Sequence, residues 1–177
     1  MAKESRQGLV QVYTGEGKGK TTAALGLALR AAGRGLKVKI IQFLKAPDSS
    51  GEHFAALRLA PELEIIPSGR PGFIKREPDP EDLRLARQAL ALAGQILASG
   101  QVDLLVLDEI NVALSLGLIK TAEVLALIEG KPAAVELVLT GRGAPEEILL
   151  KADLVTEMRL VKHPFQEGLA AREGIEF

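Results

Sequence analysis

The sequence predicts an α/β domain of three layers, in which helices cover both faces of a mostly parallel central sheet. Short apolar, β-branched runs alternate along the chain with stretches whose apolar residues recur at helical spacing. Continuous apolar strands between helices are typical of parallel sheets that are buried on both faces. The 177 residues, 47% of them hydrophobic, are enough to bury one sizeable core. We therefore expect a single domain over residues 1–177.

The predicted elements follow one another in order. An alternating strand, residues 10–13, precedes an alanine- and leucine-rich helix, residues 21–32, which Gly33 and Gly35 end. Further helices are predicted at 80–98, 121–128 and 145–150, with Gly100 and Gly130 as stop signals. Further strands are predicted at 38–43, 63–66, 104–107, 135–139 and 154–158. The irregular stretch 61–80 resembles a long loop, and long loops are often functional.

A glycine-rich loop joins the first predicted strand to the first predicted helix. Residues 14–22 read T-G-E-G-K-G-K-T-T. Gly15, Gly17 and Gly19 can adopt positive φ, so successive N–H groups can converge on one anion at the positive end of the helix dipole. Lys20 adds a charge for phosphates, and Thr21 adds the hydroxyl that such loops place on Mg²⁺. The loop is predicted to cradle phosphates, with a plain strand-to-helix turn as the alternative.

The loop departs from the standard phosphate-loop pattern in two places. Thr14 stands where the pattern has glycine, and Lys18 stands inside the loop, where most such loops have an uncharged residue. A lysine at position 15 would indicate the partitioning ATPases, but this chain has Gly15. The sequence therefore predicts a variant loop and disfavours that subclass.

Composition excludes several classes of function. A formal net charge of −1 argues against a nucleic-acid-binding protein that is held by bulk electrostatics. The chain has no cysteine, which excludes disulfides, thiolate catalysis, iron–sulfur ligation and Cys-type zinc sites. We expect neither a signal peptide nor a membrane span, and we expect a cytoplasmic protein.

Polar residues follow the predicted strands at the edge where ligands bind in parallel sheets. Asp108 and Glu109 follow a buried strand, as in a second nucleotide motif whose carboxylate meets Mg²⁺. Their alternative role is to cap a helix that starts near Asn111. Arg142 lies between glycines after the next strand, where it is either a phosphate-binding guanidinium or a surface arginine. Lys45 is either a cation at this edge or a solvated loop residue.

Five segments together resemble one family. They are residues 10–22 with the extended loop, Q-F-L-K at 42–45, L-D-E-I-N at 107–111, L-T-G-R-G at 139–143 and V-K-H-P-F at 161–165. In this order they resemble the ATP:corrinoid adenosyltransferases of corrinoid biosynthesis, over about residues 7–177. The resemblance implies a P-loop NTPase fold of the RecA-like type.

The resemblance also implies the reaction. The 5′-deoxyadenosyl group of ATP would pass to the Co(I) of a corrinoid, in adenosylcobalamin biosynthesis or salvage, with triphosphate as the other product. In the family the triphosphate lies in the loop in the reverse sense to ordinary ATPases, so the ribose 5′ carbon faces the corrinoid. An added lysine suits a triphosphate leaving group. The sequence alone leaves two alternatives, a conventional P-loop ATPase or small-molecule kinase and a non-catalytic nucleotide-binding module.

The resemblance assigns residues by position. Lys18, Lys20 and Arg142 would be catalytic cations, and Thr21, Asp108 and Glu109 would hold Mg²⁺ or Mn²⁺. Phe73 falls in the loop that closes over the corrinoid in relatives, although the tryptophan that they carry nearby is absent here. The residues expected to bind the substrates are Thr14, Gly15, Glu16, Gly17, Lys18, Gly19, Lys20, Thr21, Thr22, Arg142 and Phe73.

The expected partners follow from the same chemistry. With no cysteine and no flavin fingerprint, the chain is expected to depend on an external electron donor, such as a flavoprotein, to make Co(I). We expect no nucleic-acid partner and no membrane partner. Relatives form homodimers, which implies a homodimer here.

Overall fold

The computed structural model describes residues 6–47, 50–71 and 79–176 and confirms the predicted α/β class. The described strands are β1 (Val10–Thr14), β2 (Val38–Phe43), β3 (Leu63–Ser68), β4 (Leu104–Asp108), β5 (Glu136–Thr140) and β6 (Leu154–Glu157). The described helices are α1 (Lys20–Ala32), α2 (Gly51–Arg58), α3 (Pro80–Ala98), α4 (Ile110–Ser115), α5 (Thr121–Glu129) and α6 (Glu146–Lys151). A 3₁₀ turn follows at Pro164–Glu167. None of these described helices is long and apolar enough to cross a lipid bilayer.

The strands form one parallel sheet in the order β3-β2-β4-β5-β1-β6. Its core divides between the two faces, because side chains alternate along a strand. In β4, Leu105 packs into one apolar cluster and Val106 into the other, and both are fully buried. Alanines of α3 belong to the first cluster and alanines of α1 to the second. The predicted three-layer arrangement is therefore confirmed.

Most predicted elements are found with ends that differ by one or two residues. The predicted elements omitted α2, which has eight residues. A helix near Asn111 was considered only as an alternative setting for Asp108 and Glu109; α4 does begin there, with Glu109 as its N-cap but without a side-chain capping hydrogen bond. The stretch 61–80 includes β3, which runs on to Ser68, and residues 72–78 lie outside the described part. All four residues of β6 are exposed, so the cover on both faces does not extend to this edge strand.

The strand order brings particular chain segments together at the carboxyl edge of the sheet. β1 lies between β5 and β6, with Tyr13 paired to both Thr140 and Thr156. The loop after β1 therefore meets the segment after β6 on one side and the segment after β5 on the other. On the far side of β5, Gln42 of β2 is paired with Asp108 of β4. This edge positions the candidate site.

Candidate active site

The glycine-rich loop lies against the backbone that follows β6. Gly15 has φ +94° and Gly19, the N-cap of α1, has φ +120°, a region that favours glycine. The Gly17 N–H donates to the Met158 carbonyl at 2.6 Å, and a Cβ on Gly17 would lie 2.7 Å from that oxygen. The loop therefore needs glycine at these positions, both for its curvature and for its close approach to the neighbouring backbone.

Lys20 reaches back into the loop from the first turn of α1. Its ammonium lies 2.7 Å from the Gly15 and Gly17 carbonyl oxygens, and the residue is only 6% exposed. Burial lowers the pKa of Lys20, the Arg142 guanidinium lowers it further, and Glu109 and Glu16 oppose the change. The loop thus encloses a cation that has two neutral carbonyls as hydrogen-bond partners, an arrangement that suits a bound anion.

Asp108 is fully buried at the end of β4, and both of its oxygens are occupied. Oδ1 accepts hydrogen bonds from the Thr21 hydroxyl at 2.9 Å and the Thr140 hydroxyl at 2.7 Å. Oδ2 accepts from Lys45 Nζ at 2.8 Å and from Gln42 Nε2 at 3.3 Å. With four donors, this carboxylate fixes the side chains around it and is poorly placed to turn toward a ligand.

Glu109, unlike Asp108, lines the site's cavity. Its φ of +62° is unusual for a residue other than glycine, and such strain tends to concentrate at functional sites. The Glu109 N–H donates to the Thr140 hydroxyl at 2.9 Å, while the side chain lines the site's cavity. Burial raises the pKa of Glu109, the Asp108 carboxylate raises it further, and the cations Lys45, Lys20 and Arg142 oppose the rise. Of the two acids, Glu109 faces the space where a ligand would bind.

A cavity of about 580 Å³ opens over the loop. Its wall combines basic groups from three parts of the chain with carboxylates. The lining residues that carry charge are Lys18, Lys20, Lys45, Glu52, Glu109, Arg142 and Glu176. Arg142 is largely exposed, and its Nη1 lies 3.3 Å from Glu16 Oε2. The mixture suits a highly charged anion together with a cation.

The structure brings most of the sequence-predicted residues to this cavity. Gly17, Lys18, Gly19, Lys20, Thr21, Thr22, Glu109 and Arg142 line it. Gly15 contributes through the carbonyl that holds Lys20. Thr14, Glu16 and Asp108 are not among the lining residues, and the Thr14 hydroxyl instead accepts the Ala144 N–H at 3.4 Å. The prediction for Phe73 lies outside the described residues.

Lys45, which the sequence left as either an edge cation or a solvated residue, lies inside the site. Its ammonium contacts Asp108 at 2.8 Å and lies 3.8 Å from Glu52 of α2. Burial alone would lower the pKa of Lys45, but the Asp108 carboxylate, together with Glu52 and Glu109, outweighs burial and raises the pKa above its usual value. The preceding Leu44 has φ +64°, and Gly69 packs so closely that a Cβ there would lie 2.4 Å from the Leu44 carbonyl carbon. Backbone strain and close packing thus hold Lys45 in place.

Sequence reasoning missed two other parts of the cavity wall. Glu52 lies on the unpredicted helix α2, and its Oε1 accepts a hydrogen bond from Gln42 Nε2 at 3.1 Å. Residues 174–176 reach the cavity from the last part of the chain that the structure describes. The sequence analysis assigned these residues no role.

The oxygen atoms of Thr21 and Glu109 suit a hard divalent cation, whereas both oxygens of the neighbouring Asp108 are occupied. Among the described residues, no group of three or more His, Cys, Asp or Glu side chains could hold a metal ion alone. Mg²⁺ does not need such a cage, since it is usually bound by one or two carboxylates, waters and substrate phosphates. The partly buried Glu109, with its raised pKa, is a carboxylate that a cation would stabilise.

Comparison with known proteins identifies relatives over almost the whole chain. The family model for ATP:corrinoid adenosyltransferase BtuR/CobO/CobP matches residues 6–177. A corrinoid adenosyltransferase of Pseudomonas aeruginosa is 42% identical over 172 residues, which cover 97% of this chain and 84% of that protein. One from Escherichia coli K12 is 33% identical over 174 residues, covering 98% and 88%.

Among solved structures, a KaiC-like protein of Pyrococcus horikoshii OT3 superposes with a TM-score of 0.62 at 18% identity. The match covers 89% of this chain and 75% of that protein, and it supports the fold alone. The full-length family match and the curated relatives go further. This chain belongs to the ATP:corrinoid adenosyltransferase family BtuR/CobO/CobP.

Proposed function

We propose that the protein transfers the 5′-deoxyadenosyl group of ATP to the cobalt of a reduced corrinoid and releases triphosphate. The observation that carries this proposal is a glycine-rich loop of this family that opens into a cavity lined by Lys18, Lys20 and Arg142. Co(I) supplies both electrons of the new Co–C bond to the 5′ carbon. The C5′–O bond breaks, its electron pair leaves with the triphosphate, and the cobalt ends as alkylcobalt(III).

The triphosphate is the leaving group, so the protein's main contribution is to stabilise its charge. Lys20 lies at the centre of the loop, with Lys18 and Arg142 nearer its opening, and we assign all three to the triphosphate. Lys45 is a fourth candidate, because it lines the same cavity. Among the described residues, each of these cations already contacts an acceptor of the protein, and binding would exchange these contacts for phosphate oxygens.

We assign Mg²⁺ or Mn²⁺ to Thr21 and Glu109. Asp108 orients Thr21 through its 2.9 Å hydrogen bond and is the less suitable direct ligand because both of its oxygens are occupied. When bound there, the metal ion would offset the negative charge of the triphosphate. None of these roles requires a group that activates water, which distinguishes the proposal from an ATPase.

The remaining requirements concern the corrinoid. The chain has no cysteine, so we propose an external electron donor, such as a flavoprotein, as the source of Co(I). We keep Phe73 as a proposed lid contact for the corrinoid. By the family resemblance we also propose a cytoplasmic homodimer. The apolar residues Leu154 and Val155 on the open edge strand β6 are 41% and 46% exposed, which is compatible with cover by a second copy.

The experiment that tests the proposal combines a spectrum with product analysis. The protein is mixed with ATP, Mg²⁺ and chemically reduced corrinoid, and the corrinoid spectrum is followed while ³¹P NMR identifies the phosphate product. We expect alkylcorrinoid and triphosphate in equal amounts. Formation of ADP or a phosphorylated product would instead indicate γ-phosphoryl chemistry and overturn the proposal. Lys20→Met provides the inactive control.

A further inference from the structure

The last residues that the structure describes fold back onto the glycine-rich loop. Gly174, Ile175 and Glu176 line the same cavity as residues 17–22 of the loop. The Glu176 carboxylate lies 2.8 Å from Lys18 Nζ, and the Ile175 carbonyl lies 3.4 Å from the same atom. Lys18 is separated in sequence from Ile175 by 157 positions and from Glu176 by 158. The fold thus places the Glu176 carboxylate at the mouth of the proposed triphosphate site.

Glu176 is held in this position from its own side. Its carboxylate accepts hydrogen bonds from the Arg172 backbone N–H at 2.8 Å and from the Arg172 guanidinium at 3.1 and 3.2 Å. The Glu176 N–H donates to the Arg172 carbonyl at 2.9 Å, which closes a turn. The hydrogen bonds from Arg172, and then that from Lys18, lower the pKa of Glu176 to about 2. The carboxylate is therefore charged at neutral pH, and its hydrogen bonds with Arg172 hold it beside Lys18.

We propose that Glu176 is an internal competitor for the triphosphate: its carboxylate occupies Lys18 in the nucleotide-free protein and has to release it when ATP binds. This inference rests on the proposed function, because it takes the loop as the triphosphate site. Lys18 is the lysine by which this loop departs from the standard pattern, and its side chain is 46% exposed. It can therefore exchange one anion for another without rearrangement of the core.

The competition makes Glu176 a determinant of ligand choice. A polyphosphate that reaches Lys18 recovers the lost ion pair, whereas a shorter anion that is bound deeper in the loop leaves Lys18 on Glu176. Removal of this carboxylate is expected to favour long polyphosphates more than short ones.

The test uses inorganic triphosphate as the probe, so that neither the corrinoid nor turnover is involved. Glu176→Gln keeps the size of the side chain and removes its charge. We expect this variant to bind triphosphate about two- to fivefold more tightly than the unchanged protein by calorimetry at low salt, the range of an exposed ion pair. Binding of orthophosphate should change less. Glu173→Gln, an exposed glutamate in the same turn, is the matched control and should leave both affinities unchanged.

A double-mutant cycle identifies the partner. In a Lys18→Ala background, Glu176→Gln should lose most of its effect, because the competition acts through Lys18. Equal or weaker triphosphate binding by Glu176→Gln, with an unchanged melting temperature, would overturn the inference, and weaker binding would make Glu176 a residue that positions Lys18. Failure of the unchanged protein to bind triphosphate at all would instead refute the proposed function, and the inference with it.

Discussion

Lys20 combines a buried ammonium with two carbonyl acceptors from the loop that it serves. We expect Lys20→Met to lower ATP affinity by about 10- to 100-fold, because hydrogen bonds between charged groups contribute about 1.5–3 kcal/mol each. Stability should not fall, since burial already lowers the pKa of this lysine and so disfavours its charged form in the folded state. Calorimetric titration with ATP and thermal unfolding measure the two effects. Full retention of ATP affinity would remove Lys20 from the site.

We expect the Glu109 carboxylate to lower the stability of the folded protein and to raise its affinity for a metal ion. Its pKa is raised in the folded protein, so between the unfolded and folded pKa values the native state binds more protons and stability falls as pH rises. Glu109→Gln should therefore melt higher than the unchanged protein at pH 7 in EDTA, with a gain that disappears below about pH 4, the ordinary range of a glutamate. The same variant should bind Mg²⁺ with triphosphate at least tenfold more weakly. If Glu109→Gln leaves the metal affinity unchanged, Asp108 and not Glu109 would be assigned as the metal ligand.

Lys45 can be compared with a second lysine on the same chain segment. Lys45→Gln leaves the buried Asp108 without its cation, and we expect a loss of about 1–3 kcal/mol in the free energy of unfolding. Lys39→Gln removes the partly exposed pair with Glu64 and should cost less than about 1 kcal/mol. Urea denaturation measures both, and triphosphate affinity should fall for the Lys45 variant alone. Equal effects of the two substitutions would make Lys45 an ordinary surface lysine.

At the scale of elements, the sequence predicted what depends on local pattern. The run that became β4 is apolar up to Asp108, β1 shows an alternating pattern, and α3 begins and ends where its pattern does. Helices α2 and α4 were left out of the predicted elements; eight and six residues show little helical periodicity, although the equally short α6 was predicted.

The candidate site was predictable only where its residues lie near each other in the sequence or follow strands. The loop of residues 14–22 is one continuous motif, and Asp108, Glu109 and Arg142 follow apolar strands. The pairing of Lys45 with Asp108 spans 63 positions, and that of Lys18 with Glu176 spans 158. No local pattern reports such contacts, because they arise from the strand order and from the return of the chain after β6.

The close packing of the glycine-rich loop against the segment after β6 can be tested at Gly17. A Cβ on Gly17 would lie 2.7–2.8 Å from the Met158 and Arg159 backbone, which cannot rotate away as a side chain can. We expect Gly17→Ala to cost about 1–3 kcal/mol and to weaken ATP binding through displacement of the loop. Gly26→Ala is the control within α1, since nothing lies within 4 Å of the added Cβ, and it should stabilise by about 0.5–1 kcal/mol. Thermal unfolding with and without ATP compares them, and equal stability of the two variants would contradict this account of the loop.

In the whole molecule, the apolar core that stabilises the fold and the charged groups of the proposed site lie in different places. Apolar clusters on both faces of the sheet bury its centre, while the charged groups gather at the carboxyl edge. There the proposed phosphate-binding cations contact acceptors of the protein, which are carboxylates for Lys18, Lys45 and Arg142 and neutral carbonyls for Lys20. A triphosphate with a metal ion can replace these acceptors while the core stays as it is.

This separation predicts how the entire fold responds to substrate. A ligand that binds only the folded state at 100 times its dissociation constant stabilises it by about 2.7 kcal/mol. For a chain of this length we expect the melting temperature to rise by roughly 5–10 °C with ATP and Mg²⁺. Inorganic triphosphate with Mg²⁺ should reproduce most of the rise, because the charged edge is proposed to bind the phosphates. Adenosine alone should give little. A large shift with adenosine and none with triphosphate, measured by differential scanning calorimetry, would show that the glycine-rich loop does not dominate nucleotide binding.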